Sequence, residues 1–199
     1  MDRGKLNIAI AGGPCTGKST VAAYLYAKLK IAGYDYDLVL EETRKLKREF
    51  EGYKDVFDRF YKWRQQEREE MRSSAADGFV TDAPLFHYFT HAIQGADKDS
   101  SREMMAVREL FRMCVELPRE RYGLIAIARD PDEFLYRLDQ AREASKKKAR
   151  DRHHMHEHFI KLWWPEKIVY VSGSVENRAR QIMRRLHEIK PPPFRGNKK

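Results

Sequence analysis

Gly12-Gly13-Pro14-Cys15-Thr16-Gly17-Lys18-Ser19 is the stretch on which the reading turns. A glycine, four residues, then glycine, lysine and serine spell a loop that wraps phosphate groups. Its context agrees. Leu6–Ala11 before it is a short run of β-formers, and Lys18–Ala32 after it carries Val21, Leu25 and Leu29 at helical spacing. That helix is expected to stop at Gly33, the residue that most readily takes up a left-handed cap. Gly12 and Gly17 permit backbone turns that a Cβ would obstruct, so the loop's N–H groups converge on an anion at the helix N-terminus. Gly13, Pro14, Cys15 and Thr16 complete the cradle. Lys18 is placed to reach the β- and γ-phosphates of a nucleoside triphosphate such as ATP, the Ser19 hydroxyl to ligate Mg²⁺, and Thr20 to cap the α-phosphate side.

Outward from the loop, short β-forming runs alternate with helical patterns. Asp37–Leu40, Gly78–Thr81, Gly123–Ala128 and Lys167–Val171 join Leu6–Ala11 as strands. The alternation predicts an α/β fold of the three-layer P-loop NTPase kind, a parallel sheet of about five strands with helices on both faces and a helical lid. The expected organisation is one domain over residues 1–189, with the lid at about 129–150 and a basic, proline-rich tail over 190–199. Val56–Ala76 reads as a long amphipathic helix whose aromatic residues, Trp63 among them, face the core.

Two cysteines, Cys15 and Cys114, make no disulfide framework, and no leader or membrane-spanning apolar run is visible. A reducing cytoplasm is the expected compartment. Lys+Arg 39 against Asp+Glu 30 gives a net charge of +9, a field that attracts polyanions but also suits any enzyme of phosphorylated substrates. Between Arg137 and Lys161 eight Lys/Arg face four acids. The run Lys146-Lys147-Lys148 there reads either as a nucleic-acid contact or as a solvated helix face.

In open α/β sheets the site lies at the carboxyl ends of the strands. The second strand runs into Glu41-Glu42-Thr43-Arg44 and the third into Asp82-Ala83-Pro84. Asp82 is the preferred acid, to hold Mg²⁺ or to take the proton of an attacking hydroxyl; the alternative is that it caps the helix expected at Leu85–Ile93. Glu42 is the second candidate, with Arg44 beside it. After the fourth strand, Arg129 and Arg137 stand where a lid would bring positive charge onto the transferring phosphoryl group, or else pair with nearby acids on the surface. The run His153-His154-Met155-His156-Glu157-His158 puts His154 and His158 on one helical face, but with no cysteine nearby a plain basic helix is preferred over a metal site.

The loop with Thr20, Glu-Glu-Thr-Arg after strand two, Thr-Asp-Ala-Pro-Leu after strand three and Val-Ser-Gly-Ser near the end resemble the kinase branch of the P-loop fold, in the small group that includes nicotinamide riboside kinases. Within it the chain is most similar to bacteriophage 5-hydroxymethyluracil DNA kinases, over about Leu6 to Leu186. Thymidylate kinases resemble it more distantly: they carry an arginine after the strand-three aspartate, where this chain has Ala83. The resemblance implies transfer of the γ-phosphoryl group of ATP to the hydroxymethyl oxygen of 5-hydroxymethyluracil in phage DNA, within the host cytoplasm. Such an enzyme must take single strands, distort the duplex or flip the nucleotide, and Tyr61, Trp63, Trp163 and Trp164 are candidate stacking surfaces, the last two with packing beneath the fifth strand as the preferred alternative. A small-molecule kinase for a nucleoside, nucleotide or nicotinamide riboside, and a P-loop NTPase that is not a kinase, are the alternatives.

Overall fold

A computed structural model describes residues 4–41, 56–130 and 146–191. Five strands appear there: β1 (Asn7–Ala11), β2 (Tyr36–Val39), β3 (Gly78–Thr81), β4 (Tyr122–Ala128) and β5 (Ile168–Val171). The helices are α1 (Lys18–Ile31), α2 (Val56–Arg72), α3 (His87–Gly95), α4 (Ser101–Arg121), α5 (Lys146–Trp163) and α6 (Val175–Ile189). The strands form one parallel sheet in the order β2-β3-β1-β4-β5. This is the expected three-layer architecture. Residues 131–145 of the expected lid and the expected site residues Glu42, Arg44 and Arg137 lie outside the described residues, as does the tail from 192.

The central strands carry apolar runs, Ile8–Ala11 in β1 and Leu124–Ala128 in β4, because both faces are covered. In β1, Ile8 and Ile10 join α1 and α6 on one face, while Ala9 and Ala11 join the larger core of α2 to α5 on the other. Strand β4 divides in the same way, Leu124 and Ala126 against Ile125 and Ile127. Trp63 and Trp164 lie wholly inside the larger core, Trp164 with its ring 5.3 Å from that of Phe86. Neither is a stacking surface for a base; Tyr61 and Trp163 retain exposure.

Helix ends follow local chemistry. Helix α1 stops as expected: Gly33 has φ 87° and donates to the Lys30 carbonyl, while Tyr34 N–H reaches the Leu29 carbonyl, a pairing that satisfies the last turn. Helix α2 ends at Arg72 rather than at Ala76, because the Asp37 carboxylate accepts from Ser73 Oγ and from the amides of Ser74 and Ala75. Helix α3 begins at His87, two residues later than expected; after Pro84 the chain enters through the short-range bonds His87 N–H to Pro84 O and Tyr88 N–H to Leu85 O. Lys190, placed in the tail by sequence, belongs to the domain. It is buried, its Nζ lies 2.8 Å from Asp77 Oδ1, and its carbonyl accepts from Tyr34 OH. Among the described residues no helix is long and apolar enough to cross a membrane.

Candidate active site at the phosphate-binding loop

The loop leaves β1 and turns into α1 through three residues with positive φ: Gly12 at 130°, Cys15 at 65° and Gly17 at 78°. Gly17 is the N-cap and no side chain caps the first turn, so the amides there remain available to an anion. Lys18 Nζ donates to the Gly13 carbonyl at 2.7 Å, and Thr16 Oγ1 donates to the same oxygen at 2.9 Å. Ser19 stands half-buried in the first helical turn, and Thr20 is exposed.

Two elements press on the loop from outside. From α6, the buried Arg178 donates Nη1 to the Thr16 carbonyl at 3.0 Å and Nε to the Gly173 carbonyl at 2.9 Å. From α5, His153 Nδ1 accepts the Gly13 N–H at 3.3 Å. A Cβ added at Gly13 would stand 2.4 Å from the Ala149 carbonyl, so no other residue fits under this helix.

His153 is one of four histidines gathered here. His87 and His156 stack with ring centroids 4.1 Å apart, His91 lies 6.2 Å from His156, and His156 Nε2 contacts Thr90 Oγ1. Burial, followed by neighbouring positive charge that includes Lys18, holds all four well toward the neutral form. His153 falls to about 4 and His156 to about 3. The Gly12 carbonyl faces His156 and the Ala128 carbonyl faces His153, each opposing the shift without closing a hydrogen bond. His154 and His158, the pair singled out by sequence, are solvent-exposed. Among the described residues no group of three His, Cys, Asp or Glu is placed to hold a metal ion.

Asp82 comes to the loop through the sheet. Ala9 pairs with Thr81, so the next residue of β3 lies beside the end of β1. It is 2% exposed, and Oδ1 accepts the Glu41 N–H at 2.8 Å. It does not cap α3, whose N-cap is Phe86 without a side-chain bond. The turn after it is fixed from behind: Tyr122 OH accepts the Leu85 N–H at 2.9 Å and donates to Glu70 Oε1 at 2.6 Å, and Arg121 Nη1 reaches Glu70 Oε2 at 3.2 Å. Burial raises the Glu70 carboxyl to about 7 despite these partners.

Arg129 is exposed at the end of β4, its guanidinium 5.7 Å from the centre of the Tyr170 ring. Lys146, Lys147 and Lys148 are exposed on α5, directly before the buried Ala149 and between one and two turns before His153, the two residues that approach the loop. The structure thus brings Gly12 to Ser19, Asp82 and α5 together at one end of the sheet, and sets Arg129 beside β5.

His87 and Arg178 were not among the expected site residues, and of the histidine run it is His153 and His156, not His154 and His158, that face the loop and the core. Two of the signals were present: Ala149, His153, His156 and Ile160 share a helical face, and Arg178 falls in the stripe of Val175, Ala179, Ile182 and Leu186.

No family model and no curated protein matches the chain. Solved structures do. A NadR protein in complex with NR superposes with TM-score 0.69 at 15% identity, over 96% of this chain and 52% of that one. A NadR protein in complex with NAD and AMP-PNP gives 0.68 at 16% identity, over 98% and 52%. The likeness is one of fold, and this chain spans about half the length of the proteins it matches.

Proposed function

We propose that this chain is an ATP-dependent phosphotransferase that phosphorylates a hydroxymethyl group on 5-hydroxymethyluracil in phage DNA. One observation carries the acceptor: the helix that seats His153 on Gly13 begins with the exposed Lys146, Lys147 and Lys148, so cationic charge suited to a polyanion stands on the same element that touches the phosphate loop. The resemblance to the phage DNA kinases in loop, length and basic character supports the base.

Amides of the loop and Lys18 hold the triphosphate, and the acceptor hydroxyl oxygen attacks the γ-phosphorus as the bond to the β–γ bridging oxygen breaks, leaving ADP. Asp82 Oδ1 is committed to Glu41, and Oδ2 receives the proton of the hydroxyl. Ser19 Oγ and the Asp82 carboxylate are oxygen donors that fit Mg²⁺, which when bound neutralises charge on the β- and γ-phosphates. Neutral histidines around Lys18 leave its charge undivided for the phosphates.

The fold shared with a NadR protein solved with NR favours a second reading, a kinase of a small nucleoside. Supplying γ-labelled ATP with DNA containing 5-hydroxymethyluracil, with DNA containing thymine and with free nucleosides decides between them. Label on the first DNA alone supports the proposal; label on a nucleoside alone overturns it.

A further inference from the structure

Beside the loop, three helices converge with an excess of positive charge. Arg152 stands directly before His153 on α5, and its Nε donates to Gln94 Oε1 of α3 at 2.7 Å. One turn back along α3 stands His91, its ring 6.2 Å from His156. Arg59 of α2 faces the same place: its charge acts on His91 and on Arg152, and Lys18 acts on His91 as well. Arg59 and Arg152 are each partly buried, and among the described residues no carboxylate pairs with either. Below them His87 is 6% exposed and its Nε2 has no hydrogen-bond partner.

The charges of Arg59 and Arg152 act on one another in this partly desolvated cleft, and burial followed by Arg59 disfavours the charge on Arg152. A phosphate ester removes that penalty, because guanidinium presents paired donors matched to its oxygens. The cleft lies on the α2-to-α5 side of the sheet, across the loop from α1, whose N-terminus embraces the triphosphate.

We propose that Arg59 and Arg152, with His91 and Gln94 between them, form a second anion site that grips a phosphate ester of the acceptor. The proposal rests on the phosphotransferase reading and specifies the acceptor: it carries phosphate next to the reacting nucleoside, either as a mononucleotide or as a nucleic-acid backbone. The neutral histidine floor takes no share of the anion's charge and offers His87 Nε2 as one further polar contact.

The test measures binding of thymidine, thymidine 5′-monophosphate and single-stranded oligothymidylate to the protein saturated with Mg²⁺ and a non-hydrolysable ATP analogue. A phosphorylated probe should bind about tenfold or more tighter than thymidine, the worth of one charge-assisted hydrogen bond. R59Q and R152Q should each erase that advantage, R59K should restore part of it, and affinity for the ATP analogue should stay within about twofold. An advantage for the monophosphate alone identifies a nucleotide acceptor, and one for the oligomer alone a backbone phosphate; either supports the site. Equal binding of thymidine and both phosphorylated probes overturns it, as does loss of ATP-analogue affinity in place of probe affinity. If the probes bind through both arginines yet no acceptor is ever labelled from ATP, the site stands and the phosphotransferase reading falls.

Discussion

Arg178 Nη1 meets the Thr16 carbonyl at 3.0 Å, tying the phosphate-binding loop to α6 from within the core. A residue that is 1% exposed is kept there by its bonds to the Thr16 and Gly173 carbonyls, the first of which orients the peptide unit between Thr16 and Gly17. Arg178→Met keeps the volume and removes the donors. It should cost about 1–3 kcal/mol of stability and lower ATP affinity by roughly tenfold, read by denaturant unfolding and by titration with ATP. Unchanged ATP affinity would show that the loop holds its shape without this tie.

Acid should destabilise the protein steeply. The folded-state values of His87, His91, His153 and His156 are depressed, so their contribution is present above the ordinary histidine value of 6.5 and is lost as pH falls below it, through about 4 for His153 and about 3 for His156. Each group contributes up to about 1.4 kcal/mol per pH unit in that window. His156→Gln should reduce the slope of stability against pH by one proton's worth, whatever it does to absolute stability. An unaltered slope would mean that His156 is charged in the folded protein.

Glu70 acts in the opposite direction. Its carboxyl is raised from 4.5 to about 7, so its contribution is full below 4.5 and is lost as pH rises through 7. Glu70→Gln, which keeps an acceptor for Tyr122 OH and loses the one facing Arg121, should gain on wild type across that interval and hold a constant difference above it. Because Tyr122 also holds the Leu85 amide behind Asp82, the same variant should flatten the turnover profile between these pH values. Parallel stability curves for wild type and variant would contradict the shift.

Much of this was legible in the chain. Periodicity located all five strands to within a residue or two, because β1 and β4 are covered on both faces and carry unbroken apolar runs. The loop was legible because Gly12, Gly17 and Lys18 are required by backbone geometry and charge. What escaped was set by tertiary contacts. Asp37 ends α2 from a strand 36 residues earlier in the chain, and His153 meets Gly13 across 140 residues. The polar residues His156 and Arg178 sit in otherwise apolar stripes, where a reading by hydrophobic period passes over them.

Asp82→Asn keeps the shape and the Glu41 contact but removes the carboxylate charge, and turnover should fall by roughly 10²-fold or more while the melting temperature stays close to that of wild type. Repeating the measurement over a range of Mg²⁺ concentrations separates the two roles, since metal binding is partly rescued by excess Mg²⁺ and proton acceptance is not. Full activity in the variant would pass the role to another acid.

Replacing Lys146, Lys147 and Lys148 together by glutamate should weaken DNA binding and flatten its log–log salt dependence by about one unit for each DNA phosphate no longer neutralised. ATP affinity should hold, because these side chains are exposed on α5 and outside the loop. Normal DNA binding by the triple variant would remove nucleic acid from the role assigned to this helix.

The most direct test is single-turnover transfer from γ-labelled ATP with wild type and Lys18→Ala side by side, following label into acceptor and into free phosphate. Wild type should move label to the acceptor and release little phosphate without one, and Lys18→Ala, folded and with an unchanged melting temperature, should move none. Near-normal transfer by Lys18→Ala, or label appearing only as free phosphate with every acceptor, would contradict the phosphotransferase reading.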